Sequence, residues 1–314
     1  MKASLYFLIL LAFANTCDAA SAIPLRIAVQ ATGTVAWELA ALPASPEFNV
    51  QIQPVANAEA GKIALQASAV DMIVSDWLWV SRSRAAGTDF SFYPYSSSAG
   101  ALLVNANSPI QRLADLQGKK LGIAGGELDK NWLLLQALAK KNHIDLSGVE
   151  KTFAAPPLLT EQFKQNRLDA LLTYWHFALP LQALGYKQLL DGKAVLQGLG
   201  IDENLPNIGY VFKQSWAENN KTALRAFLKA SQLARHLICN DEPTWQKIIP
   251  LTKTDDVQLQ KLFRAGYCAG TINEWTEKQR QAAGQIYELL DTLSNHQLTG
   301  TAAGLQAGTF WQAE

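Results

Sequence analysis

An excess of either charge is missing from this sequence: Lys plus Arg and Asp plus Glu each number 27 in 314 residues, so the formal net charge is zero. No basic face is therefore available to track a phosphate backbone, and nucleic acid is excluded as a partner class. Histidine is scarce, with only His143, His176, His236 and His296. No two of them stand at i,i+4 spacing, so no metal site and no cofactor are expected. No G-x-S-x-G elbow occurs, which removes the usual hydrolase nucleophile. Gly122, Gly125 and Gly126 fit neither the G-x-G-x-x-G dinucleotide loop nor the G-x-x-x-x-G-K-[ST] phosphate loop. Beyond the N-terminus, no apolar run approaches the roughly twenty residues that a membrane span requires.

The N-terminus itself is informative. Lys2 precedes an apolar core from Leu5 to Ala14 and then the small-residue pattern Ala20-Ser21-Ala22. This reads as a secretory signal peptide over residues 1–22, cleaved near Ala20 to Ala22, rather than as an anchor helix, because the apolar core is too short to span. Export to the periplasm follows as the expected localisation. Cleavage removes Cys17 and leaves Cys239 and Cys268 in a compartment where thiols oxidise. A disulfide between them and two buried free thiols both stay open at this point.

Leu25 to Val29 is a short strand-like run that halts at a glycine break, with Thr32 or Thr34 able to cap the helix that follows. A second strand from Asn49 to Val55, a helix from Ala58 to Ala69 and a buried strand from Asp71 to Ser75 complete a βαβαβ rhythm. The rhythm restarts at Lys120. LRIAVQATGTVAW, from Leu25 to Trp37, resembles LGIAGGELDKNW, from Leu121 to Trp132, and AVDMIVSDW, ending at Trp77, resembles RLDALLTYW, ending at Trp175. Two α/β lobes of similar topology are therefore expected. Strands at Ala101 to Val104 and Asn207 to Phe212 would carry the chain from one lobe to the other and back. Helices are expected over Ser215 to Cys239, Asp256 to Phe263 and Glu277 to Leu293, with a less structured tail from about Thr299.

The order of PLRIAV, GTVAWEL, VDMIVSDW, GALLVNANSPIQRLADLQGKKLGIAGG and LDALL resembles the periplasmic substrate-binding proteins of ABC importers, in the nitrate/sulfonate/taurine and thiamine-pyrimidine-precursor-binding group. The resemblance implies an α/β fold of the type II periplasmic-binding kind, each lobe a mostly parallel sheet flanked by helices and joined to the other by two crossing strands. Lobe 1 would comprise 23–100 plus 207–314, and lobe 2 would comprise 101–206. The implied function is capture of a small-molecule ligand and its delivery to an inner-membrane ABC permease with its ATPase, by a monomer that is not an enzyme. The rivals are an enzyme on the same scaffold and a periplasmic ligand sensor.

In open α/β sheets, ligands sit outside the carboxyl ends of the strands. Applied to the strands above, this nominates Gly33, Thr34, Val35 and Trp37; Ser75, Asp76 and Trp77; Gly125, Gly126, Glu127 and Asp129; and Tyr174, Trp175 and His176. Ser97, at the start of the first crossing, would close the floor. Aromatic rings and carboxylates dominate these loops, Lys130 is their one cation, and Arg is absent from them. A small anion normally calls for Arg or a basic cluster. The expected ligand is therefore organic, with an aromatic or cationic part, rather than nitrate or a sulfonate. His176 is expected to hydrogen-bond the ligand or the opposite lobe.

Overall fold

Strand–helix alternation yields two five-stranded sheets in a computed structural model that describes residues 22–30, 33–272 and 274–312. Residues 1–21 of the expected signal peptide, and Thr32, lie outside the described residues. The first sheet contains β1 (Ile23–Gln30), β2 (Phe48–Val55), β3 (Met72–Ser75), β4 (Phe90–Ser96) and β10 (Ile208–Lys213), in the order β2-β1-β3-β10-β4. The second contains β5 (Gly100–Val104), β6 (Lys120–Ala124), β7 (Glu150–Ala154), β8 (Ala170–Tyr174) and β9 (Lys187–Asp191), in the order β7-β6-β8-β5-β9. Both sheets place the first three strands of their unit in parallel and then insert one antiparallel strand, β10 or β5. The reason is geometric. Each crossing delivers the chain at the carboxyl ends of the parallel strands, so the entering strand must run against them.

The repeat in the sequence is a repeat in the fold: β1 matches β6, and β3 matches β8. An aspartate performs the same task in both lobes. Asp71 N donates to Arg26 O at 2.8 Å while its Oδ2 accepts from Arg26 N at 2.9 Å. Asp169 N donates to Lys120 O at 2.8 Å while its Oδ2 accepts from Lys120 N at 2.8 Å. Each carboxylate thereby satisfies an amide on the neighbouring strand just before the ladder begins.

Helices cover both faces of each sheet. In the first lobe, α1 (Val35–Ala40), α9 (Lys221–Asn240), α10 (Glu242–Thr252) and α11 (Val257–Ala269) bury Leu224, Phe227, Ile248 and Phe263 against Leu25, Ile27 and Phe212. The other face takes α2 (Ala58–Gln66), α3 (Trp77–Ala85) and α12 (Glu277–Leu293), through Leu65, Leu78 and Ile286 against Ile73 and Val211. In the second lobe, α4 (Lys130–Lys141) and α7 (Gly192–Leu199) cover one face, and α5 (Pro156–Lys164) and α6 (Trp175–Ala183) the other. No helix among the described residues is long and apolar enough to cross a membrane.

Three local expectations are refined. The helix expected over Ser215 to Cys239 is two helices, α8 (Gln214–Asn219) and α9, divided at Asn220, whose side chain bonds back to Trp216 O. Among the described residues, the tail beyond Thr299 holds no regular helix or strand, in line with the expectation, yet it is pinned in place. Phe92 N donates to Thr309 O at 2.7 Å, Trp311 N donates to Phe92 O at 2.9 Å, and Trp311 is buried, so the tail covers the open edge of β4. Finally, of the two states left open for the cysteines, the fold adopts the bridge: Cys239 of α9 is bonded to Cys268 of α11.

Candidate functional site

The carboxyl ends of β1, β3, β6 and β8 meet at the junction of the lobes, and with them come the N-termini of α3 and α4. Both helices begin on an aspartate, because a carboxylate satisfies amides that the first turn leaves free. Asp76 Oδ1 accepts from Trp79 N at 3.0 Å. Asp129 Oδ1 accepts from Asn131 N at 2.9 Å and Trp132 N at 3.4 Å, and its Oδ2 accepts from the Tyr174 hydroxyl at 3.3 Å. Gly125 completes this group. Its φ of +94° lies in the left-handed region, and a methyl group there would meet the Tyr174 hydroxyl at 3.1 Å and Asp129 Oδ2 at 3.2 Å. Gly126 and Glu127 are exposed beside it. The His176 ring stands 6.4 Å from the Tyr174 ring at 23°.

The two carboxylates are pushed in opposite directions. Burial raises Asp129 above the usual carboxylate range, against the opposing pull of Asn131 and Lys130. Burial acts upward on Asp76 as well, but the Lys130 charge, the Trp79 N–H and Lys62 outweigh it and hold that carboxyl low. Asp76 in the first lobe therefore feels Lys130 in the second. Lys130 Nζ donates to Asn207 O at 3.1 Å, while Asn207 donates from its N to Ser96 O at 2.8 Å and from its Nδ2 to Ser98 O at 3.0 Å. Asn207 thus ties the two crossings together and anchors Lys130. In the sequence Asn207 marks only the start of a strand, and the lone cation among the loops is the one signal pointing there.

His176 is pushed down to about 4 by burial, and its Nδ1 is buried with no hydrogen-bond partner among the described residues. A folded-state value below the ordinary 6.5 means that the unfolded chain binds the extra proton between about pH 6.5 and 4. Stability is expected to fall on acidification through that window, and His176→Gln should flatten the fall. Urea unfolding at stepped pH measures it, and parallel curves for the two proteins would refute the assignment.

Several nominated side chains point elsewhere. Val35 and Trp37 are buried in the first lobe, where Trp37 packs on Trp245, Phe263 and Tyr267 and its indole N–H donates to Leu251 O at 3.4 Å. Trp77 is 4% exposed, packs on Phe310 and donates from its indole to Pro206 O at 2.9 Å, so it braces the second crossing. Ser75 is buried opposite Gly209 of β10. Thr34, half-buried, lies 3.4 Å from the Tyr95 hydroxyl, and the Gly33 amide bonds back to Gln30 O. Ser97 donates from its N and Oγ to Gly270 O at 2.8 and 3.2 Å. Trp175 reaches α11 of the other lobe. Ser97 and Trp175 also line a cavity of about 430 Å³ beside the crossings, together with Leu179, Gln182, Asp191 and Gly270. Pro156 and Pro157 open α5 directly after Ala155, where early prolines cost no helical hydrogen bond.

Among solved structures, the fold is similar to the periplasmic aliphatic sulphonate binding protein SsuA from Escherichia coli, with a TM-score of 0.73 at 19% identity over 93% of each chain. It is also similar to the alkanesulfonate-binding protein SsuA from Xanthomonas axonopodis pv. citri bound to MOPS, with a TM-score of 0.67 at 16% identity, covering 93% of this chain and 99% of that one. In sequence, 160 residues are 29% identical to a putative aliphatic sulfonates-binding protein of Escherichia coli strain K12; they are 49% of this chain, which spans about half the length of that relative, 47%. The model of one family, described as NMT1/THI5 like, matches residues 47–242, more than half of the chain. The resemblance read from the strand and loop motifs therefore holds, and the chain belongs to the NMT1/THI5-like family.

Proposed function

We propose that this protein is an extracytoplasmic solute-binding protein, which traps a small organic molecule between its lobes and delivers it to the permease of an ABC importer. It acts as a periplasmic monomer without chemistry of its own, on lobes 23–100 plus 207–314 and 101–206, after loss of the N-terminal signal peptide. The observation that carries this reading is the convergence of Gly125, Asp129 and Tyr174 in one lobe on a junction where Asp76 of the other lobe feels Lys130. Small polar groups gathered where two lobes meet suit ligand-gated closure, because a ligand touching both sides favours the closed state. The relatives' descriptions name sulfonates as their ligands.

For this chain the favoured ligand has an aromatic or cationic part. Asp76 and Asp129 already occupy the amides at the α3 and α4 N-termini that an anion would use. Tyr174 and His176 add aromatic faces. Calorimetry against aliphatic sulfonates and aromatic amines tests the class: tight sulfonate binding with no response to the amines would overturn it while leaving the transport role standing. Native mass spectrometry of protein purified from its own periplasm should show a retained small molecule. With that molecule as titrant, Asp76→Ala is expected to weaken binding by about 1–3 kcal/mol. Unchanged affinity would remove Asp76 from the site.

A further inference from the structure

We infer that α11 is the seat on which the second lobe closes, with Gly266 and the Cys239–Cys268 bridge setting how closely the lobes approach. This rests on the lobe closure proposed above. Trp175 and Leu179 belong to α6 of the second lobe, yet they pack against the apolar cluster of the first lobe. Contact occurs at Gly266 of α11, where a methyl group would sit 3.0 Å from the Trp175 ring and 3.1 Å from Leu179. A side chain there requires Trp175 and Leu179 to give way by a few tenths of an ångström, and a larger one presses on α6 itself. One turn further on, Gly270 O holds Ser97 N and Oγ, and Thr271 bridges to Ser96, which fastens the end of α11 to the first crossing. A side chain on Gly270 would overlap Ser98 Oγ.

Between these two glycines stand Tyr267, buried against Trp37, and Cys268, bonded to Cys239 of α9. The helix is thus fixed from behind by the bridge and from the side by the crossing. When α6 docks, α11 does not give way. Opening the lobes parts Trp175 from Gly266 while the Gly270–Ser97 bonds, within the hinge itself, persist. Trp175 accordingly acts as a positioning residue: it fixes where Tyr174 and His176, its chain neighbours, stand relative to the first lobe.

The test needs no ligand, so its failure is separable from failure of the ligand-binding reading. The mature protein, Gly266→Ala, Gly266→Leu and the pair Cys239→Ala with Cys268→Ala are compared by small-angle X-ray scattering and by hydrogen exchange over residues 175–184. Gly266→Leu should enlarge the radius of gyration and speed exchange in α6 several-fold, with Gly266→Ala moving both in the same direction by less. Alanine favours helix over glycine, so Gly266→Ala should not lower the melting temperature. A merely structural role for Gly266 would move stability and leave α6 unchanged. Loss of the bridge should speed exchange in α11 and α6 together. If Gly266→Leu damages the first lobe, Gly266→Ala decides: unchanged α6 exchange and an unchanged radius overturn the proposal, and faster α6 exchange in a stable protein supports it.

Discussion

Replacing Glu38 by Leu is expected to destabilise the protein by about 3–5 kcal/mol, the range for stripping the partner from a buried charge. Glu38 is 0% exposed and the Arg235 side chain 3%. Arg235 Nη1 donates to both Glu38 oxygens, at 3.1 and 3.0 Å. The hydroxyls of Tyr210, at 2.5 Å, and of Ser231 and Tyr267 donate to the same carboxylate. Burial works against the Arg235 charge, but Glu38, Tyr210 and Tyr267 more than compensate and raise its pKa, so the guanidinium does not escape by losing its proton. Its Nε and Nη2 find no partner among the described residues, which makes Glu38 the main compensation for the charge. The double variant Glu38→Leu with Arg235→Met should recover most of the loss, because both desolvation penalties vanish together. Urea unfolding of the three proteins decides the matter. A Glu38→Leu protein within about 1 kcal/mol of the parent would refute the account. The cluster also reaches the lobe junction: Glu38 lies one turn beyond Thr34, so it fixes the helix that follows the loop at the carboxyl end of β1.

Most of the fold is legible in the sequence because its signals are local. Strand runs, glycine breaks and the paired aspartates Asp71 and Asp169 recur in the two lobes, and each needs only its own βαβ unit to be satisfied. Asp76 and Asp129 are legible for the same reason, since a helix cap is decided within one turn. The aromatic side chains are different. Position at a strand end says that Trp37, Trp77 and Trp175 begin near the junction, but the direction of each ring is set by a distant partner. Trp37 reaches Leu251 across 214 residues and Trp77 reaches Pro206 across 129, and nothing near either tryptophan announces them. Trp175 turns to α11 because Gly266 leaves room, a fact carried by the absence of a side chain. The role of the tail is hidden likewise: it lies in the unpaired edge of β4, which is visible only once the sheet order is known.

Removing the Cys239–Cys268 bridge by alanine at both positions is expected to cost about 3–4 kcal/mol, the loop-closure entropy for its sequence separation of 29 residues. For a chain of this size that corresponds to a melting temperature lower by roughly 5–7 °C. The unfolded chain gains most of this freedom, but the folded state shares in the effect. The bridge joins α9, which carries Arg235 and Ser231, to α11, which carries Tyr267, and all three side chains contact Glu38. Loosening α11 relaxes the surroundings of the Arg235 charge, so part of the cost of Glu38→Leu is already incurred when the bridge is gone. The combined variant should therefore lose less than the sum of its parts, as neighbours sharing one network do. Calorimetric melting of the parent, the two variants and their combination forms the cycle. Additivity within about 0.5 kcal/mol would mean that the bridge and the buried ion pair act independently.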